Sequence, residues 1–190
     1  MMATKSIMIC GVGGQGTLLA VRVLGNMALR QGYDVKVSEV HGMSQRGGSV
    51  VTYLRFGDKV YSPIIEKGGA DVILAFEKLE ALRALPYVKK GGRIIVNAQE
   101  IDPMPVITGA AEYPQGVIEN LKTRAEVTAI DAISIAAALG NTRTANVVLI
   151  GSYAKSSGIP KNEWIEVLKE TVPARFIDVN IQAFEKGYEL

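Results

Sequence analysis

The chain has 190 residues, 48% of them hydrophobic and 21% charged, with a formal net charge of +2. These figures describe one globular domain spanning 1–190, long enough to bury about 70% of the surface its unfolded chain would expose. They exclude a nucleic-acid-binding protein of strongly basic character, a disordered chain and a disulfide scaffold, since there is a single cysteine, Cys10, and a single histidine, His41. One thiol cannot ligate an iron–sulfur cluster, and one histidine excludes a His-rich metal site. The absence of a signal peptide and of any run of 18 apolar residues predicts a cytoplasmic protein without membrane or nucleic-acid partners.

The first predicted element is an apolar strand, Lys5-Ser-Ile-Met-Ile-Cys, which runs directly into Gly11-Val-Gly-Gly-Gln-Gly16. A helix follows over 17–31, with Leu18, Val21, Leu24, Ala28 and Leu29 at helical spacing and Gly32 as its stop. Strand, glycine turn and helix together make a Rossmann-like beginning, in which glycines let the backbone approach an anion at the helix N-terminus. Gly11, Gly13, Gly14, Gln15 and Gly16 are therefore candidate binding residues, with Gly13 expected at a positive φ. A second strand, Val35 to Val40, places Glu39 near where a nicotinamide site needs an acid for the ribose.

A second glycine-rich polar loop follows at once, Glu39-Val-His-Gly-Met-Ser-Gln-Arg-Gly-Gly48. It gathers an acid, the only histidine, hydroxyl, amide and guanidinium groups, none of which a packed core requires. Arg46 can clamp a phosphate or carboxylate through two parallel hydrogen bonds. Gly47 and Gly48 allow close approach of a ligand or another chain. Glu39, Ser44, Gln45, Arg46, Gly47 and Gly48 join the candidate ligand or interface residues, while His41 alone is a weak candidate for proton transfer. A bend with Glu39 and Arg46 paired at the surface accounts for the same residues without a ligand. Ser44 has no base to activate it and no nucleophile elbow is present.

Ser49 to Phe56 and Lys59 to Ser62 flank Gly57-Asp58, the pattern of a two-residue hairpin, and this makes the sheet mixed. Tyr61-Ser-Pro63 could face the same ligand edge, although a strand end followed by proline explains it equally. Asp71 to Phe76 is a buried strand, and a helix from Glu77 ends near Leu85 at Pro86. Lys89-Lys90 beside Gly91-Gly92 reads as a solvated turn before a strand ending at Asn97. Prolines 103, 105 and 114 predict an extended connection with a short strand around Val106. A strand at Val127 to Ile130 follows, then a helix capped by Asp131 and ended by Gly140. A buried helix covers Asn146 to Ser157, with Gly151 and Ala154 suited to close packing. Two amphipathic helices, from Pro160 to Thr171 and from Arg175 to Lys186, complete the chain. The fold class is α/β, a three-layer α/β/α domain with a mixed, mostly parallel sheet.

Gly11 to Gly16, Ser38-Glu-Val-His-Gly-Met-Ser-Gln-Arg-Gly-Gly-Ser49, Ser62-Pro63, Ala75-Phe-Glu77 with Leu79-Glu80, and Asn146 to Gly151 give the chain a further identity. In these segments it resembles the gamma-type subunit or domain of the 2-oxoacid:ferredoxin oxidoreductases, most closely the indolepyruvate type. The resemblance implies a subunit, inactive alone, of an enzyme that oxidatively decarboxylates a 2-oxoacid with coenzyme A and passes electrons to ferredoxin. It also implies that this chain binds no cofactor by itself. Thiamine diphosphate and [4Fe-4S] clusters are expected on a larger partner subunit, in an α2β2 heteromer. The lack of a Gly-Asp-Gly thiamine motif agrees. The alternatives are a stand-alone NAD- or flavin-binding reductase and a noncatalytic nucleotide-binding module.

Overall fold

A six-stranded sheet organises the chain in the order β2-β3-β1-β4-β5-β6. The structure is a computed structural model that describes residues 3–41 and 47–190, with His41 as backbone only. Its strands are β1 (Lys5–Val12), β2 (Asp34–His41), β3 (Ser49–Gly57), β4 (Ala70–Ala75), β5 (Val88–Asn97) and β6 (Glu126–Ile130). β3 is antiparallel to both β1 and β2, whereas β1, β4, β5 and β6 pair in parallel.

The sheet is covered on both faces, which explains why its central strands read as continuous apolar runs. Along β1, Ile7 and Ile9 enter one core and Met8 and Cys10 the other, following the two-residue alternation of a strand. The first core is closed by α1 (Thr17–Arg30), α5 (Ala132–Ala138), α6 (Ala145–Lys155), α7 (Lys161–Thr171) and α8 (Ile177–Glu189). The second lies under α2 (Lys78–Ala84) and α4 (Val117–Lys122). A four-residue helix, α3 (Met104–Ile107), sits in the connection between them.

Trp164 of α7 makes an edge contact with Tyr153 of α6 at 6.0 Å and stacks on Phe184 of α8 at 6.3 Å. Such aromatic pairs contribute about 0.5–1.5 kcal/mol each beyond their burial. α6 and α8 meet backbone to backbone. A Cβ on Gly187 would lie 1.9 Å from the Val148 carbonyl oxygen, and one on Gly151 2.1 Å from that of Phe184.

Several sequence expectations change here. The sheet is mixed, but through β3 lying between β1 and β2. No hairpin forms across Gly57-Asp58, because both edges of β3 are already paired along its length. The following segment is held as coil by Arg55, whose guanidinium donates to the carbonyls of Ser62 and Ile64 at 2.9 and 3.1 Å. Residues around Val106 form α3 instead of a strand, since Pro105 fits the first turn of a helix, where its missing N–H is not needed. α4, starting at Val117, has no counterpart in the sequence reading. On α1, Leu18 and Leu29 are exposed, and the buried stripe runs through Ala20, Val21, Val23, Leu24, Met27 and Ala28.

Candidate functional site

After β1 the chain turns to the first face with α1, and after β4 it turns to the second with α2. The crevice at the carboxyl ends of these adjacent strands is the topological switch point, where open α/β sheets bind ligands. A cleft of about 380 Å³ lies there, within the range of small-molecule sites. Gly14, Gln15 and Gly16 form one wall, Asn97 and Gln99 the floor, and Arg143 and Asn146 the far side.

The glycine turn is held by its own glutamine. Gln15 Oε1 accepts the Val12 N–H at 2.7 Å, and Gln15 Nε2 donates to Phe76 O at 2.9 Å and to Gln99 Oε1 at 3.0 Å. Asn97 Nδ2 donates to the same Phe76 carbonyl, and Asn97 Oδ1 accepts the Ala132 N–H at the start of α5. Three side-chain amides thus tie the ends of β1, β4 and β5 to the helices around the crevice. The positive φ angles of the turn fall on Gly14 (102°) and Gly16 (84°) rather than on Gly13.

Of the candidate glycines, only Gly14 and Gly16 face the cleft. Gly11 packs behind it, where a Cβ would meet Gln15 Oε1 at 2.8 Å and Phe76 Cβ at 3.1 Å. The Gly13 N–H is taken by Gly48 O at 2.8 Å and that of Gln15 by Val12 O at 3.1 Å. The amides of Gly14 and Gly16 have no partner among the described residues. They and the first turn of α1 offer donors to an anion or a polar ligand. Gly13 acts differently: its bond to Gly48 joins the glycine turn to the end of the second loop. Gly47 and Gly48 are therefore at the same edge as the cleft, while Ser44, Gln45 and Arg46, together with the His41 side chain, lie outside the described residues.

That loop end is also anchored from below. Ser49 Oγ donates to Glu80 Oε2, and Arg83 Nη1 pairs with Glu80 Oε1 at 2.6 Å. Buried Glu77 caps α2 by accepting the Glu80 N–H at 2.9 Å, and it accepts the Tyr113 hydroxyl and the Ile101 N–H. Burial, and then hydrogen bonding to the Glu77 carboxylate, pushes the Tyr113 phenol well above its usual range. The Ala75-Phe-Glu77 and Leu79-Glu80 segments thus fasten α2 and the loop end to the sheet.

Glu39 is exposed and pairs across β3 with Thr52, two strands away from β1. That separation is about 10 Å in the hydrogen-bonding direction, so Glu39 does not hold a ribose at the β1–α1 turn. Tyr61, Ser62 and Pro63 follow the far end of β3, at the opposite pole from the cleft.

Asn97, Gln99, Arg143 and Asn146 were not singled out by chemistry in the sequence. Asn146 Nδ2 donates to Gly16 O at 3.1 Å, while its Oδ1 is buried without a partner among the described residues. The visible signal was one polar residue heading the apolar run Asn146-Val-Val-Leu-Ile150. Arg143 is exposed at the rim and has no ion-pair partner among the described residues. Among the described residues no carboxylate, histidine or thiol lines the cleft, and the lining offers amides, backbone N–H groups and one guanidinium. Cys10 is fully buried, and burial, then the charges of Glu80 and Glu77, push its thiol well above the usual range. One such thiol does not fit the donor set of an iron–sulfur cluster.

Among the described residues no helix is long and apolar enough to cross a membrane. The family model for pyruvate ferredoxin/flavodoxin oxidoreductase matches residues 6–190. The chain is 48% identical to indolepyruvate oxidoreductase subunit IorB of Thermococcus kodakarensis, over 98% of this chain and 95% of that protein. It is 38% identical to the protein of the same name from Methanothermobacter thermautotrophicus, over 96% and 95% of the two chains. In fold it is similar to the crystal structure of a pyruvate oxidoreductase subunit from Thermotoga maritima, with a TM-score of 0.74, 20% identity and coverage of 98% and 96%. The match along nearly the whole chain, at the level of both sequence and fold, places it in a family: the chain belongs to the pyruvate ferredoxin/flavodoxin oxidoreductases.

Proposed function

We propose that this chain is the subunit without redox cofactors of a cytoplasmic indolepyruvate-type 2-oxoacid:ferredoxin oxidoreductase. As one domain it joins a larger subunit that carries thiamine diphosphate and [4Fe-4S] clusters, in an α2β2 assembly. The complex converts an aryl pyruvate and coenzyme A to an aryl-acetyl-CoA and carbon dioxide, with electrons passing to ferredoxin. The observation that carries the reading is the identity gradient. Identity is 38–48% to four proteins named indolepyruvate oxidoreductase subunit IorB, but 26% to a pyruvate/ketoisovalerate gamma subunit matched over a similar length.

This chain's contribution is positioning. The cleft at the switch point, with the amides of Gly14 and Gly16 that have no partner among the described residues and the guanidinium of Arg143, is suited to the pyrophosphate of coenzyme A. Ser44, Gln45 and Arg46 belong to the segment whose described end is tethered through Gly48 and Ser49, and they are assigned to contact with the partner subunit or the ligand.

Anaerobic affinity purification of the tagged chain from its native cells tests the complex. The expected eluate is brown, contains a large cysteine-rich thiamine-binding protein, and reduces ferredoxin with indolepyruvate and coenzyme A. Arg143→Ala and Arg46→Ala are then expected to raise the KM for coenzyme A without lowering the thermal midpoint. A colourless solitary chain would overturn the subunit reading. An active complex whose KM for coenzyme A ignores both arginines would overturn only the coenzyme A assignment.

A further inference from the structure

The pole of the sheet opposite the cleft, where β1, β4, β5 and β6 begin, holds a second concavity of about 380 Å³. The structure brings four cations to it from two strands: Lys5 of β1 and Lys89, Lys90 and Arg93 of β5. Only two carboxylates accompany them, Asp71 and Glu126. Asp71 is already committed, since Oδ2 accepts the Ser6 N–H at 2.9 Å and Oδ1 pairs with Lys89 at 3.0 Å.

Lys5 and Arg93 have no carboxylate partner among the described residues. Both instead lie over one ring: Lys5 Nζ is 5.7 Å and Arg93 Cζ 5.8 Å from the centroid of Tyr153, which is 3% exposed. A ring quadrupole attracts each cation, but it does not cancel the repulsion between two of them. Burial, and then the charge of Arg93, hold the Lys5 ammonium below its usual pKa, and the Asp71 carboxylate opposes them only in part. Lys89-Lys90-Gly91-Gly92, expected from sequence as a turn before the strand, lies within β5, where the pairing with β4 shifts register, and this irregular stretch shapes the wall. Gly91 has φ +77°, and a Cβ on Gly92 would meet the carbonyl oxygens of Ala70 and Lys89 at 2.9 Å. Lys5 and Arg93 join this stretch to form a concavity in which four cations face two carboxylates.

We propose that this pocket binds a doubly charged oxyanion, the phosphate group of inorganic phosphate or of a small phosphomonoester, between Lys5, Lys90 and Arg93. The anion offsets the excess of four cations over two carboxylates, and Arg93 offers a planar fork that matches two of its oxygens. The inference does not depend on the function proposed for the cleft at the other pole.

Isothermal titration of the full chain with inorganic phosphate, glycerol phosphate and chloride at matched ionic strength tests it. Saturable binding of a phosphate species, absent with chloride, is expected. Lys5→Gln should weaken it by about tenfold or more, the loss of one charge-assisted hydrogen bond. Tighter binding of glycerol phosphate assigns the site to a phosphomonoester, and equal or weaker binding to free phosphate. Wild-type protein gives an independent reading if a variant fails to fold: phosphate, and not chloride, should slow modification of Lys5 by an amine-reactive reagent, scored by mass spectrometry. Heats that do not saturate, binding unchanged in Lys5→Gln, or no protection of Lys5 would overturn the proposal.

Discussion

Gly16→Ala tests the joint between the glycine turn and α6. Gly16 sits at φ 84°, a conformation that costs an L-residue about 1–2 kcal/mol. The new Cβ would also stand 2.3 Å from Asn146 Nδ2, so the amide must swing away. Its hydrogen bond to the Gly16 carbonyl, at 3.1 Å, is then lost, for about 1 kcal/mol more. The expected total is about 3 kcal/mol, which in a domain of this size lowers the thermal midpoint by about 6–12 °C. Gly14→Ala is the matched control, because its φ of 102° carries strain while nothing lies within 4 Å of its Cβ. It should cost only the strain, about 1–2 kcal/mol. Asn146→Ala combined with Gly16→Ala removes the clash, so the double variant should be about 1 kcal/mol better than the sum of the singles. Urea unfolding followed by far-ultraviolet circular dichroism measures the wild type, the three single variants, including Asn146→Ala, and the double variant. Equal losses for Gly14→Ala and Gly16→Ala, or strict additivity in the double variant, would refute the steric argument.

Gly187→Ala should destabilise by at least about 3 kcal/mol in the same assay despite the better helix propensity of alanine, because its Cβ lies 1.9 Å from Val148 O and α6 is too buried to retreat; a gain in stability would contradict the backbone contact. Stability should also fall at alkaline pH. Burial pushes the Tyr153 phenol from 10.0 up to about 12, so above pH 10 the unfolded chain releases a proton that the native state keeps. The contribution is complete below pH 10 and is lost as pH rises to 12, by about 2.5 kcal/mol, with Tyr113 acting in the same sense. Urea unfolding of Tyr153→Phe across pH 9–12 should show a shallower slope, and an identical slope would count against it. Finally, Cys10 should resist a thiol-exchange reagent at pH 8 in the native protein and react fully in denaturant, since it is buried with a raised pKa. Rapid native reaction would show that α2 opens readily.

Local chemistry decided much of this protein before any contact was known. Asp131 announces α5 because its carboxylate caps the N–H of Ser134, and Gly32 ends α1 because it adopts φ 81°. β1 and β4 read as buried strands from their apolar runs and β5 from Ile94-Ile-Val96, and the glycine turn follows β1 at the carboxyl ends of the parallel strands. Pairing and convergence are different matters, because they join residues far apart in the chain. Gly57-Asp58 carries a valid turn signal, but β3 had already satisfied its hydrogen-bonding edges on β1 and β2, so the hairpin had no free edge on which to form. Inserting β3 also removed Glu39 from the ligand crevice, which no reading of its spacing from Gly11 could anticipate. Of the cleft's amides, Gln15 is a candidate through its place in the glycine turn, but Asn97, Gln99 and Asn146 are uncharged residues without a spacing rule, and the cations Lys5 and Arg93 stand 88 positions apart in the chain. Sequence determined most of the segments that form elements, though not α3, α4 or the coil after Gly57, and it put a glycine turn at the edge after β1, because those depend mainly on neighbours along the chain. Tertiary structure alone decided which side chains share that edge, because the sheet order sets who meets whom.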